Sequence, residues 1–397
     1  SKESVPEAVV QLPTADLGPG TCGDGVLNIG EKCDGSALGA GTCSKMGFDF
    51  GVLKCKKDCT YDTTACMTHS FKKLAPNSTT PGIQYTFTMG SHRDEVCRNN
   101  LEGNEDLHQV DLTHPFRIAT VPVTQKQFED LMGYNPSTAS TCGQDCPADT
   151  ITWHEAAAYT NFLSKANNLS RCYVCSGHGP FIQCSESTTY KGQKIYDCPG
   201  YRLPTEAEWE FAYRARTFTA FYNGEDTKSA CTDCVTGDKN ANEIAWYCQN
   251  NKTQNSKTRR VDTKPVGHKL PNKWGLYDMA GNVAEWCHDR YVASLGSSPV
   301  KDPWGSDNGT FRVRRGLGKD RYASTVRAAF REKQLPWYRG DSFSGFRPVQ
   351  SLVAMCGDGL LSPGEQCDGA LLGATTCATE GYTSGVLACS THCTLDS

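Results

Sequence analysis

Cysteine is the residue type whose chemistry presses first: the chain holds 22 of them in 397 residues. Cys172-x2-Cys175, with Cys184 and Cys198, has the soft donors and the count of a tetrahedral zinc site. Two disulfides are the plainer reading, and a cysteine-dense chain favours them. Cys231-x2-Cys234 has the spacing of a dithiol redox pair, but no βαβ pattern surrounds it, so a loop staple is expected. Thiols in this number are hard to keep inert under reducing conditions. The expectation is a secreted or cell-surface protein of an oxidising compartment. Oxygen ligands come next. Asp24, Glu31 and Asp34 sit in glycine-rich turns, as do Asp358, Glu365 and Asp368. Carboxylates on tight turns suit Ca²⁺, although Asp and Gly also form turns for their own sake. Among the nine histidines, His154 reads as part of a helix cap and His288-Asp289 as a surface pair. No Ser-His-Asp triad and no phosphate loop can be argued from spacing. Arg339-Gly340-Asp341-Ser342 reads as coincidence.

Charge narrows the partners. Forty basic and 44 acidic residues give a net charge of −4, and no run of five Lys/Arg occurs. That excludes a nucleic-acid binder or one that holds an anionic membrane surface. No 18-residue apolar stretch occurs, so no transmembrane segment is predicted.

An internal duplication frames the chain. Cys22–Cys43 reads CGDGVLNIGEKCDGSALGAGTC and Cys356–Cys377 reads CGDGLLSPGEQCDGALLGATTC, at an offset of 334 that persists to Asp62 and Asp396. The organisation predicted is a flexible segment 1–20, a cysteine-rich repeat 21–67, a central domain 76–353 and a second repeat 355–397. The second repeat stops before the position matching Cys66, so the chain is expected to be a piece of a longer polypeptide. Its export signal, and any anchor, would lie before residue 1. A unit of about 45 residues is near the size at which an apolar core no longer suffices and disulfides supply stability. Disulfides are expected at Cys22, Cys33, Cys43, Cys55, Cys59, Cys66, Cys142, Cys146, Cys172, Cys175, Cys184, Cys198, Cys231, Cys234, Cys356, Cys367, Cys377, Cys389 and Cys393. The central segment holds eleven cysteines, so one is free, bridges to an end repeat or pairs between chains.

The elements that must position these groups announce themselves by capping boxes. Thr124 with Gln127 opens QKQFEDLM, which Gly133 closes. Thr152 with Glu155 opens a helix whose apolar stripe includes Ala158 and Phe162. Thr205 with Glu208 opens AEWEFAYRA, with Trp209 and Tyr213 on its buried face. Strands are predicted at Tyr85–Met89, Phe116–Val121 and Phe346–Val349. Few helices, short strands and long cross-linked loops indicate an irregular α+β domain.

The central motifs then spell a family. They include Phe87-Thr88-Met89-Gly90-Ser91, Pro122-Val123-Thr124-Gln125, Arg202-Leu203-Pro204-Thr205-Glu206-Ala207-Glu208-Trp209, Gly275-Leu276-Tyr277-Asp278-Met279-Ala280-Gly281-Asn282-Val283, Arg315-Gly316 and Gly345-Phe346-Arg347. This resembles the formylglycine-generating-enzyme (sulfatase-modifying factor) domain, and implies its irregular C-type-lectin-like fold, here with small disulfide-rich repeat modules at both ends. The end repeats resemble those found in tandem on secreted proteins of myxobacteria, where the role is structural or adhesive.

The resemblance also says what is missing. The family's oxidase binds Cu(I) with two cysteines five apart, soft thiolates for a soft ion. The matching stretch, Arg315 to Arg327, contains no cysteine; the family serine is Gly318 and a family tryptophan is Ala284. The His-x3-His-x-Glu iron array of a sister branch has no counterpart either. No catalytic residue is therefore named and no copper is predicted. What the resemblance retains is a structural calcium site at Asp278, Gly281, Val283 and Glu285, whose carboxylates and carbonyls are hard ligands. It also implies a ligand groove lined by Lys319, Asp320, Arg321, Tyr322, Trp337, Tyr338 and Arg339. The resulting expectation is a non-enzymatic extracellular protein that binds a protein or glycan, or serves as architecture. The alternatives are a peptide-modifying enzyme of the same family with unrecognised chemistry, and a surface or filament component that self-associates through its end repeats.

Overall fold

The computed structural model of the chain describes residues 105–138, 142–226, 237–251, 262–340 and 343–352 without interruption, with shorter stretches between 22 and 98 and a few positions at 231–235 and 367–396. Two compact units emerge, residues 1–68 and 69–397. The cysteines at 43, 356, 377 and 393, the carboxylates at 358, 365 and 368, and the segment 1–20 lie outside the described residues.

In the first unit, Lys54–Cys55 pairs with Tyr61–Asp62 and Phe50–Gly51 with Cys66–Met67, all antiparallel. A core this small leaves the cross-links to hold it. Cys22 bonds to Cys59 and Cys33 to Cys55, and Cys66 is also in a disulfide. Asp34 is buried and accepts the amides of Gly23 and Asp24 at 2.9 and 3.0 Å. The aspartate thus holds the turn at Gly23-Asp24, ten residues earlier. In the second copy Cys367 bonds to Cys389, the pair that the 334-residue offset maps onto Cys33 and Cys55.

In the second unit the strands are β1 (Phe71–Leu74), β2 (Tyr85–Met89), β3 (His108–Leu112) and β4 (Phe116–Ala119), followed by α1 (Gln125–Met132) and α2 (Trp153–Ala166). The hairpin β5 (Tyr173–Ser176) and β6 (Gln183–Glu186) leads to β7 (Tyr201–Arg202), α3 (Glu206–Arg214), α4 (Lys239–Ile244) and β8 (Ala245–Trp246). Then come β9 (Ala280–Gly281), β10 (Ala284–Arg290), β11 (Val300–Lys301), β12 (Arg312–Arg315), β13 (Glu332–Gln334), β14 (Ser344–Gly345) and β15 (Val349–Ser351). Sheet orders are β7-β15-β4-β1, β11-β3-β2 and β13-β12-β10-β14. No helix among the described residues is long and apolar enough to cross a membrane.

All three predicted capping boxes form. Thr124, Thr152 and Thr205 each accept the amide three residues on, and Gln127, Glu155 and Glu208 each return a bond to the cap amide. Gly133 closes α1 in the left-handed region at φ 79°. Of the stripe expected on α2, Ala158 is buried, together with Ala156, Tyr159 and Leu163, whereas Phe162 is exposed. Every residue of α3 is buried, three glutamates and an arginine included. The strand predicted at Phe116–Val121 ends at Ala119, and the one predicted at Phe346–Val349 instead runs Val349–Ser351.

Disulfides fasten the irregular parts. Cys172 bonds to Cys198, Cys175 to Cys184 and Cys142 to Cys146. A zinc site at the first four has no free thiolates to build on. Cys231 and Cys234 do not staple each other. Cys231 reaches back 134 residues to Cys97, and Cys234 bonds to Cys248, so Cys97 and Cys248 join the paired set. Cys287 is the free thiol among the described residues, and it is buried.

Candidate functional site

The buried strand β10 organises the site. It carries Ala284, Glu285, Cys287, His288 and Asp289, pairs antiparallel with β12 and parallel with β14, and lies against α3. Six of its seven residues are buried, so both faces look into protein. Charge in that setting must be compensated, and it is. Glu206 of α3 accepts from Arg315 Nη1 at 2.6 Å and from Arg331 Nε and Nη2 at 2.5 and 2.8 Å. Glu210 binds Arg315 and Arg214, while Glu208 binds Arg202 through both oxygens. Burial alone pushes the Glu206 carboxyl up, but Arg331 and Arg315 outweigh it and hold it down at about 2.

The turn Asp278–Glu285 precedes and enters β10. Asp278, Gly281 and Asn282 all adopt positive φ, and a Cβ at Gly281 would strike the carbonyl oxygen of Trp246. That glycine is required by both backbone conformation and close approach. Asp278 is buried: one oxygen accepts the Gly267 amide at 2.6 Å, the other faces Asn282 Nδ2 at 3.4 Å. Burial dominates and pushes its carboxyl up, since no cation pairs with it directly. Glu285 is placed differently. Arg347 Nε and Nη2 and Trp209 Nε1 occupy its two oxygens at 2.6–2.7 Å. The Gly281 carbonyl accepts the Val283 amide. The four residues therefore share one turn, but only the Asp278 carboxylate is available for an ion; Glu285 would have to leave Arg347.

Beside this turn lies Arg315 to Arg327, the stretch that the resemblance aligns with the oxidase's copper cysteines. Ala284, Leu317 and Phe343 form a buried apolar cluster with Phe330 against it. A Cβ added at Gly318 would meet Asn282 O and Phe343 Cβ, each at 3.1 Å. Ala284 thus packs directly against Leu317 and Phe343, and there is little room beside Gly318. The remaining thiol is not positioned for chemistry: Cys287 is fully buried, and desolvation followed by Asp289 and Glu206 pushes it well above its usual range.

The groove residues divide. Lys319 is buried, so it cannot line an open groove. Arg321 is partly exposed and lies over the Phe343 ring at 5.2 Å, next to Asp320 at 3.7 Å. Tyr322, Trp337 and Tyr338 are 41, 54 and 36 % exposed. Arg339 is a brace: it pairs with Glu155 at 2.6 Å and donates to the carbonyls of Thr150 and Pro180. Ser344, next to Phe343, accepts the Ile151 amide, and Pro336 accepts that of Trp153. Phe343–Ser344 therefore lies between the Arg321 side and the Trp337 side.

Both histidines differ from expectation. His288 is fully buried, its Nδ1 bonded to the Tyr173 hydroxyl at 3.1 Å, and desolvation holds it well below the usual range. His154 is not in the capping box; its Nδ1 lies against the Cys184 backbone at 3.1 Å. Strand β10 gave no apolar run by which to recognise that His288 and Asp289 are core.

Comparison with known proteins identifies the family. The family model described as "Sulfatase-modifying factor enzyme 1-like domain" matches residues 79–352. Among curated relatives, Chaperone protein LppX of Paenibacillus barcinonensis is 32 % identical over 197 residues, which cover 43 % of this chain and 61 % of the relative. The formylglycine-generating enzyme of Streptomyces coelicolor is 35 % identical over 150 residues, 37 % of this chain and 44 % of the enzyme. The chain thus spans less than two thirds of these relatives. Among solved structures, Treponema denticola variable protein 1 aligns at a TM-score of 0.50 with 27 % identity, over 71 % of this chain and 99 % of that one.

Proposed function

The chain belongs to the sulfatase-modifying factor enzyme 1-like family, and from that premise we propose that it is a non-enzymatic extracellular binding or structural protein that has kept the family scaffold without its copper chemistry. One observation supports the reading: in the stretch that the resemblance aligns with the copper-binding segment, Leu317 packs into a buried apolar cluster with Ala284 and Phe343, with Gly318 closed in beside it. Arg315 to Arg327 offers no thiolate to a soft ion. Without those ligands, the residues here supply no means of activating O₂.

In this reading recognition falls to the exposed side chains of Arg321, Tyr322, Trp337 and Tyr338. Aromatic and arginine anchors on loops held by a rigid frame suit a protein or glycan partner. Calcium enters the proposal at Asp278, the turn carboxylate without a paired cation, assisted by the carbonyls of Gly281 and Val283. The disulfides support an oxidising, extracellular compartment. The end repeats, similar to myxobacterial cysteine-rich repeats, act as spacers or as contacts for self-association.

The test is twofold. Incubated with Cu(I), O₂ and a cysteine-containing peptide, the protein is expected to consume no oxygen and convert no cysteine; turnover would overturn the reading. A glycan and peptide array should give ligands that the Trp337→Ala/Tyr338→Ala protein fails to hold.

A further inference from the structure

A second concavity lies away from the Phe343 cluster. It has a volume of about 480 Å³ and is walled by Met89, Val292, Leu295, Val300, Pro303 and Trp304, with Asp289, Glu206 and His108 among its polar lining. That is within the range of small-molecule sites, apolar with a few convergent polar groups. Ser294 and Lys301, both exposed, lie at its mouth.

The carboxylates in this pocket are not equivalent. Glu206 is held by Arg315 and Arg331, as above, and Arg331 Nη1 also donates to the Val292 carbonyl. Asp289 is only 4 % exposed, and one of its oxygens accepts the Glu206 amide at 2.8 Å, capping the first turn of α3. Its other oxygen has no hydrogen bond and no ion pair among the described residues, although Asp289 lines the cavity. The groups facing it are Glu206 and Glu208 from α3, Arg331, His108 from β3 and Lys301 from β11. Arg331 is committed to Glu206, Glu208 to Arg202, and the His108 Nδ1 to the Asp106 carbonyl.

We propose that this pocket binds a small organic cation, a primary amine with an aromatic or alkyl body, with Asp289 as its counter-ion. A carboxylate in a largely buried residue, with one oxygen opening onto a recess and no protein donor to it, is poorly compensated, and an ammonium group supplies both the charge and the donors. The Trp304 ring suits a cation by its quadrupole, and the aliphatic wall suits the body of such a ligand. An anionic ligand would meet two carboxylates in a low-dielectric recess. Desolvation, followed by Glu206, pushes the Asp289 carboxyl well up. That agrees with an acid whose cationic partner is not one of the protein's own groups.

Phenethylamine, 2-phenylethanol and 3-phenylpropionate are the probes, alike in body and different in head. Ligand-observed NMR and titration calorimetry on the full chain are expected to show the amine binding at least about tenfold more tightly than the alcohol, and no binding of the acid. Asp289→Asn should remove the preference for the amine. Leu295→Trp, which fills the cavity without touching Asp289, should lower the affinity for amine and alcohol together. Equal affinity of amine and alcohol for the wild-type protein would overturn the proposal, as would no amine binding at millimolar concentration. The wild-type comparison decides the matter even where Asp289→Asn fails to fold.

Discussion

Arg347 and Glu285, 62 residues apart, form a buried bidentate pair, Nε to Oε2 at 2.7 Å and Nη2 to Oε1 at 2.6 Å. The same guanidinium donates to the carbonyls of Ala119, Tyr277 and Asp278. One side chain thus fastens the end of β4, the Asp278 turn and β10. Breaking such a pair from one side strands a buried charge and typically costs about 3–5 kcal/mol. Arg347→Met is expected to lower the Tm by far more than Arg321→Met, whose side chain is nearly half exposed. Similar Tm values for the two variants, by scanning calorimetry, would contradict the role assigned to Arg347.

Calcium addresses the neighbouring residue. Asp278 carries the raised carboxyl of a buried acid without a paired cation among the described residues, so burial disfavours its ionised form. An ion at this turn would remove that penalty. Millimolar calcium is expected to raise the Tm and a chelator to return it, with Asp278→Asn insensitive to both. A wild-type Tm that ignores calcium would discard the calcium half of the proposed function.

Acid stability should be governed by Glu206. Its folded value of about 2 lies below the ordinary 4.5. The stabilisation is therefore complete above about pH 4.5 and is lost as the pH falls toward 2, on the order of 3 kcal/mol in all. Removing Arg331 takes away one of the charges holding the carboxyl down. The acid limb of the Tm–pH curve should shift to higher pH in Arg331→Met. An unmoved limb would mean that Glu206 does not govern it.

The packed reaction centre makes its own prediction. Ala284→Trp restores the family's bulk where Leu317 and Phe343 now fill the space. Overpacking of this kind typically costs about 1–3 kcal/mol, visible as a lowered Tm. A variant as stable as the parent would show that the pocket is open.

Thiol chemistry offers a direct check. With Cys287 fully buried and its thiolate strongly disfavoured, alkylation of the folded protein should leave it unmodified. Labelling at Cys287 should appear only with denaturant. Rapid native labelling would place a reactive sulfur beside the old active centre and reopen the enzymatic reading.

The legible parts of this fold were the ones whose signals are local. Thr152 and Glu155, three residues apart, announce α2 because the capping geometry needs nothing else, and strand Tyr85–Met89 falls where its alternation placed it. Strand β10 was invisible. Its sequence AEWCHDR reads as polar surface, because the arginine that neutralises its Glu285 lies at 347 and its histidine bonds to Tyr173. The groove showed the same limit: Lys319 and Arg339 looked like exposed ligands, and only packing reveals one as buried and the other as tied to Glu155. The Cys97–Cys231 link lay beyond spacing arguments for the same reason.

The Glu206 arrangement also bears on how the polypeptide can assemble during synthesis. Helix α3 is complete by Arg214, yet its Glu206 acquires its partners only when Arg315 and Arg331 have emerged more than a hundred residues later. A nascent chain halted between those points holds in Glu206 a carboxylate that has no dry place to go, so a half-made domain gains little by collapsing early. Such non-local closure is slow. Until the last arginine arrives, the growing polypeptide stays open to chaperones and to oxidation in the wrong pairings.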